Sequence, residues 1–184
     1  PQSVGETPPA VESNREINEN SLLSVAAQVV LSARRTAKGE NAGPDRYQER
    51  LEASLAAFID VIGDLPVKKY LPIHMQDFAT VLAQVPVNRS KYAEFNGLSL
   101  RKIVEKNSKR KPPVPSLSTS TIQGSISDFL SLWSRATAGV AGVKDLKAYR
   151  ITMPSAAAKS TVREALPVGN LNKWITAAAE QKHA

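Results

Sequence analysis

STSTIQGSISDFLSLWSRA, Ser118 to Ala136, decides the fold class. Ile122, Ile126, Phe129, Leu130, Trp133 and Ala136 recur at i, i+4, i+7, i+8, i+11 and i+14, one stripe of a helix with 3.6 residues per turn. Ser118 or Thr119 supplies a hydroxyl start of the kind that accepts a bond from a first-turn amide. On the other face Ser120, Gly124, Ser127, Ser131 and Ser134 are all small. Such a face suits a close approach to a groove of nucleic acid, or a tight contact with another helix.

Working outward, the same period recurs. Leu22, Ala26, Val29, Val30 and Ala33 predict a helix from Ser21, with Arg34, Arg35 and Lys38 in its last turn and Gly39 and Gly43–Pro44 as its stop. Asp45 opens a second helix, with Gln48 at capping-box spacing and an apolar stripe of Tyr47, Leu51, Leu55, Phe58, Ile59 and Ile62. Gly63 stands where a C-terminal glycine belongs, and Asp64–Leu65–Pro66 reads as a turn. A third helix is expected between Pro72 and Val85, buried through Met75, Phe78, Val81, Leu82 and Val85 and stopped by Pro86. Gly97–Asn107 reads as a short helix capped by Ser99, with Leu100, Ile103 and Val104 inward, before the proline-rich connector KRKPPVPS. After the long helix, a short helix is expected near Lys144–Tyr149 and a last one from Asn170, through Leu171, Trp174, Ile175 and Ala178. No strand pattern and no internal repeat occurs. The expected fold is all-α, a compact bundle of four to five principal helices, with residues 1–20 a disordered tail.

The chain has 184 residues, room for one domain with a buried core. It has no cysteine, which excludes disulfides and thiolate metal sites. No apolar run reaches the ~18 residues that span a bilayer, and the first residues lack the basic and apolar regions of a signal peptide. The first residue is not Met, so the sequence is read as a piece of a longer protein.

Charge is uneven. Lysines and arginines number 24 against 17 acids, a net +7. Eight of the cations (Arg89, Lys91, Arg101, Lys102, Lys106, Lys109, Arg110, Lys111) face two acids (Glu94, Glu105) between residues 89 and 111, and this window holds most of the excess. It runs almost directly into the hydroxyl-rich start of the long helix. Helix N-termini offer amides to phosphate, hydroxyls bond phosphate oxygens, and Lys and Arg release condensed counterions. The combination favours an anionic partner, with nucleic acid as one reading and a solvated basic loop beside an ordinarily capped helix as the other. The DNA-binding residues expected are Ser118, Thr119, Ser120, Thr121 and Gln123 at the helix start, flanked by Arg89, Lys91, Lys109, Arg110 and Lys111. Arg46 and Arg50 join them from the polar side of the second helix. Gln123 is the side chain there able to bond an adenine edge bidentately.

Catalytic patterns are missing. His74 and His183 lie in no metal-binding spacing, and His74 is expected to cap or border the third helix. Glu16 and Glu19, and Glu49 and Glu52, are carboxylate pairs on polar faces. No glycine-rich phosphate loop or nucleophile elbow occurs. Neither a metal, a cofactor nor a catalytic residue is expected.

At this level the chain resembles a known family. The run IGDLPVKKYLPIHMQDFATVLAQVPVNRSKYAEFNGLSLRKIVEKN (Ile62–Asn107), followed by LSTSTIQGSISDFLSLWSRA (Leu117–Ala136), is similar to the N-terminal core-binding domain of phage-integrase-type tyrosine recombinases. The matching features are Gly63–Asp64, Asp77–Phe78 and the turn Val85–Pro86–Val87–Asn88–Arg89. The helix start Leu117–Ser118 with Thr121–Ile122 matches too, as do Phe129 and Trp133–Ala136. Val162–Ile175 resembles the first segment of the family's catalytic domain. The family's Asn-Pro after the Trp-x-x-Ala helix is replaced here by TAGVAGVKDLKAYRITMP. Its catalytic Arg, Lys, His-x-x-Arg, second His or Trp, and Tyr nucleophile are absent. Tyr47, Tyr70, Tyr92 and Tyr149 lie in the wrong part of the chain for that nucleophile, so the sequence is expected to end before the catalytic domain or to be a degenerate relative.

The resemblance implies a SAM-like helical core-binding domain over residues 21–150, with 151–184 a linker and the start of a truncated catalytic domain. It also implies a non-catalytic role in clamping duplex DNA for site-specific recombination or integration. Other recombinase protomers would be partners, in bacterial cytoplasm, with no membrane and no small-molecule substrate involved. The alternative is a helical protein-interaction module docking through the small-residue face, its basic loop merely solubilising; an enzyme fragment is the third reading.

Overall fold

The computed structural model describes residues 16–38 and 45–159. The expected tail at 1–15, the stop at Gly39 and Gly43–Pro44, the helix from Asn170 and His183 lie outside them. Five α-helices form: α1 (Leu23–Lys38), α2 (Arg46–Ile62), α3 (His74–Leu82), α4 (Leu100–Ser108) and α5 (Thr119–Ala136). Short 3₁₀ turns stand at Val67–Lys69, Arg89–Lys91, Ala93–Phe95 and Leu146–Ala148. No strand occurs among the described residues, so the all-α bundle is the fold. No helix among them is long and apolar enough to cross a membrane.

The core follows from the stripes. α5 packs against α2 and α1 most extensively and also touches α3. Phe58 of α2 lies at the centre: its ring stacks on Phe129 at 3.8 Å between centroids and meets the Phe78 edge at 5.3 Å. Tyr70 and Trp133 meet edge to face at 5.4 Å. All five are fully or almost fully buried, so a chain poor in aromatic residues concentrates them where each removes most area from water. A second cluster, Ala27, Leu31, Leu51 and Leu132, closes the far end between α1, α2 and α5.

Several expectations shift. The buried face of α1 is Leu23, Ala26, Ala27 and Leu31, while the expected Leu22 and Val29 are 41% and 49% exposed. α1 is apolar over more than one face, so its period leaves the phase open, and contact with Leu51 and Leu132 decides it. The third helix is shorter than Pro72–Val85, because Ala83–Val85 tighten into turns before Pro86. The capping box at Asp45 does not form: Asp45 accepts from the Tyr47 amide, but Gln48 is buried and donates to Glu52 instead. Ser99 makes no cap bond; the Leu100 amide is taken by the Asp60 carboxylate of α2 at 2.5 Å. Asp64, expected in a turn, also acts at a distance, accepting from the amide and hydroxyl of Ser24 in the first turn of α1. Gly63 ends α2 as expected, with a φ of 101° that disfavours any side chain, while its amide bonds Ile59 O at 2.7 Å.

The ends are tied in. Asn18 to Ser21 form a hydrogen-bonded turn, and the Lys68 amide donates to Glu19 O, so the described part of the expected tail packs on the 66–68 segment. Beyond residue 150 the described stretch packs back on the bundle. Ile151, Met153 and Ala157 pack against the core, Gln76 exchanges two bonds with the Thr152 backbone, and Ala158 pairs with Leu117 and Thr119.

Candidate nucleic-acid interface

The tip of α5 is built from its own hydroxyls. Ser118 is the N-cap, its Oγ accepting from the Thr121 amide at 3.3 Å and lying 3.0 Å from Ser120 Oγ and 2.9 Å from Thr121 Oγ1. The amide of Thr119 donates to Ala158 O at 3.0 Å. The tip therefore differs from the expected amide cradle: the Thr119 and Thr121 amides already have acceptors, and Thr119 is half-buried under the 151–158 strap. Ser120, Thr121 and Gln123 present exposed side chains.

Thr121 borders a groove of about 370 Å³ between α2 and α5. Its lining includes Ala53, Ser54 and Ala57 of α2 and Gly124 and Ser125 of α5, so the floor is small. A Cβ added at Gly124 would meet nothing within 4 Å, so the glycine is not there to admit another helix; the tight helix–helix contact is not found at this position. Arg50 and Arg89 stand on this groove. Residues expected from three separate segments, Arg50, Arg89 and Thr121, thus share one surface.

Arg50 is not a loose cation. Its Nε and Nη2 grip Asp128 of α5 at 3.0 and 2.8 Å, and its guanidinium lies 5.9 Å from the centroid of the Tyr47 ring. Arg34 also lies over that ring, at 4.8 Å, itself paired with Asp45 at 2.9 Å, and the Tyr47 hydroxyl reaches Ser131 Oγ at 3.3 Å. Arg46 is exposed and lies outside the groove lining. On α2, Glu52 binds Gln48 and Arg35; the Gln48 bond, against a smaller cost of burial and aided by Arg35, holds its carboxyl below the ordinary value.

The cationic window divides. Lys109 pairs with Glu105 at 2.6 Å, which holds the Glu105 carboxyl below its usual value. Arg110 pairs with Glu94 and lies 5.0 Å over the Tyr92 ring, while Lys106 donates to Glu94 O at 3.0 Å and Arg101 reaches Val61 O at 3.4 Å. Arg89, Lys91, Lys102 and Lys111 are exposed, and their side-chain cations make no hydrogen bond or ion pair among the described residues. Of the five flanking cations expected, Lys109 and Arg110 are therefore engaged internally and Arg89, Lys91 and Lys111 are not. Arg89 opens its 3₁₀ turn after Asn88, whose φ is 51°. A cis peptide joins Lys111 to Pro112.

Sequence reading missed the residues that hold these cations in place. Asn107 is buried and clamps the proline-rich loop: its Nδ2 donates to Val114 O and its Oδ1 accepts from Val114 N, both at 2.9 Å. The inward heptad position of an Asn on α4 was the one available signal. Asp128 is 8% exposed beside the apolar stripe of α5, on the side of Thr121 and Ser125, a burial that calls for a cation.

A second groove, about 550 Å³, runs along Ser127, Ser131 and Ser134 with Leu130, Ile151 and Met153, and it is this groove, not the one between α2 and α5, that the expected Gln123 lines. His74 starts α3 as expected, its Nδ1 accepting from the Leu71 amide. Among the described residues no group of three or more His, Cys, Asp or Glu can hold a metal ion. Compared with known proteins, the chain matches no family model, no curated protein and no solved structure.

Proposed function

We propose that this chain is the DNA-binding, non-catalytic N-terminal part of a tyrosine site-specific recombinase, a helical core-binding domain that clamps duplex DNA while a separate catalytic domain performs the chemistry. The observation carrying the reading is the α2–α5 groove, where Arg50, Arg89 and Thr121 converge over a floor of alanine, serine and glycine. Lys91 belongs to the same turn as Arg89 and is likewise exposed. Phosphate contacts supply most of the affinity in such an arrangement; Gln123, the expected base-reading side chain, is exposed but lines the second groove rather than this one.

The test is salt dependence. With about five phosphates engaged, log K falls with log salt at a slope of roughly −4 to −5. Replacing Arg89, Lys91 and Lys111 together by Ala flattens that slope by roughly 2–3, whereas replacing the internally paired Lys109 and Arg110 changes it less. A flat salt response of the unaltered protein rejects the reading.

The second reading is a protein-interaction module, favoured by the 550 Å³ groove along the serine face of α5. Stable capture of a protein partner, with no DNA shift at low salt, selects it.

A further inference from the structure

We infer that Asp128, an acid on the wall of a groove read as binding DNA, strengthens phosphate binding rather than opposing it, by aiming Arg50. The inference rests on the DNA reading above.

A carboxylate in a phosphate-binding groove is unfavourable on charge alone. Asp128 is nevertheless there, its side chain 10% exposed, with Arg50 as its ion-pair partner. The pairing is side-on: Arg50 Nε donates to Oδ2 at 3.0 Å and Nη2 to Oδ1 at 2.8 Å. That fork fixes the guanidinium plane, and the Tyr47 ring at 5.9 Å adds a second constraint. The Arg50 side chain remains 61% exposed. Its Nη1 and the outer N–H of Nη2 have no acceptor among the described residues, and Arg50 lines the groove that Arg89 and Thr121 border. One edge of the guanidinium is thus spent on the protein, while the opposite edge is oriented for a phosphate oxygen. A freely rotating arginine would lose rotamer freedom on contact; this one has lost it already. Asp128 is a positioning residue, acting through Arg50 and touching no ligand itself.

The sign of the effect separates this from general electrostatics. Asp128→Asn removes a negative charge, and screening arguments alone predict tighter DNA binding. Alignment predicts the reverse. With a labelled mixed-sequence duplex of about 30 base pairs at about 50 mM salt, Asp128→Asn is expected to weaken binding by about tenfold, one oriented charge-assisted bond. The salt slope is expected to shrink by roughly 0.9. In an Arg50→Ala background the same substitution is expected to tighten binding, because the carboxylate then acts only as a repelling charge. A purely structural ion pair does not produce that reversal.

Arg50→Lys gives a fold-neutral check, since it keeps the charge at an exposed position but cannot form the fork. It is expected to bind as weakly as Arg50→Ala. Circular dichroism and urea melts confirm that each variant is folded before binding is compared. If Asp128→Asn binds as well as or better than the unaltered protein, or Arg50→Lys matches it, the positioning role is overturned while the DNA reading stands. If the unaltered protein shows no duplex binding at this salt, the DNA reading falls and takes this inference with it.

Discussion

Single side chains do much of the fastening here. Asn107 satisfies both backbone groups of Val114 from a buried position, imitating a strand partner for a loop whose prolines cannot supply one. Asn107→Ala orphans both, and is expected to cost about 2–3 kcal/mol in urea unfolding; a loss below about 0.5 kcal/mol would mean the loop is held otherwise. Tyr70 is the second case. Its hydroxyl donates to Gly63 O and accepts from Leu65 N, both at 2.8 Å. Burial, opposed by the Leu65 bond and reinforced by the Asp64 charge, pushes its phenol up to about 12 from an ordinary 10.0. Because the folded value exceeds the unfolded one, the stabilisation is whole below about pH 10 and drains away as the pH climbs toward 12. Tyr70 should therefore give a late phase near pH 12 in a phenolate absorbance titration, and Tyr70→Phe should abolish it. A titration curve that Tyr70→Phe leaves unchanged at its alkaline end would contradict it.

Between elements, the caps come from elsewhere in the chain. α1 is capped by Asp64 and α4 by Asp60, forty residues from their targets in each case. A carboxylate near an N-terminus also meets the positive end of the helix dipole. Asp60→Ala should lower stability by about 1 kcal/mol, while Ser99→Ala, at the position that looks like the cap, should stay within about 0.5 kcal/mol. Thermal melts of the pair decide the point, and equal losses would restore Ser99 as the working cap. The helix stripes themselves were legible because burial on a helix repeats locally. Asp60 and Ser99 differ because a cap needs only one acceptor, and packing of α2 beside α4 delivers a better one than the local hydroxyl.

Across the whole molecule, the segment 151–158 functions as a strap. It spans from Gln76 on α3 to Leu117 and Thr119 at the tip of α5, and Ser116 Oγ adds a bond to Ala156 O. The strap joins the two ends of the bundle and covers the amide that a phosphate would otherwise meet first. Gln76→Ala removes both bonds to Thr152. Amide exchange at Ala158 and Thr119 should then accelerate by about tenfold, with the centre of α5 unchanged. Unaltered exchange at both amides would show that Ile151 and Met153 hold the strap by packing alone. The proposed interface belongs to this scale as well, since its groove exists only once α2, α5 and the Arg89 turn are assembled.

The amino-acid order alone determined that the chain is helical, where α2, α4 and α5 run, and that cations gather between residues 89 and 111. These properties depend on neighbours within about one or two turns, which a linear reading contains. Tertiary structure decided the face of α1, the remote caps, and which cations remain available. Arg50 and Asp128 are 78 residues apart in sequence, and Gln76 and Thr152 are 76 apart. Whether a charge is spent internally or left for a ligand depends on which helix packs beside it, and that is set by the burial of the aromatic core rather than by the charges themselves.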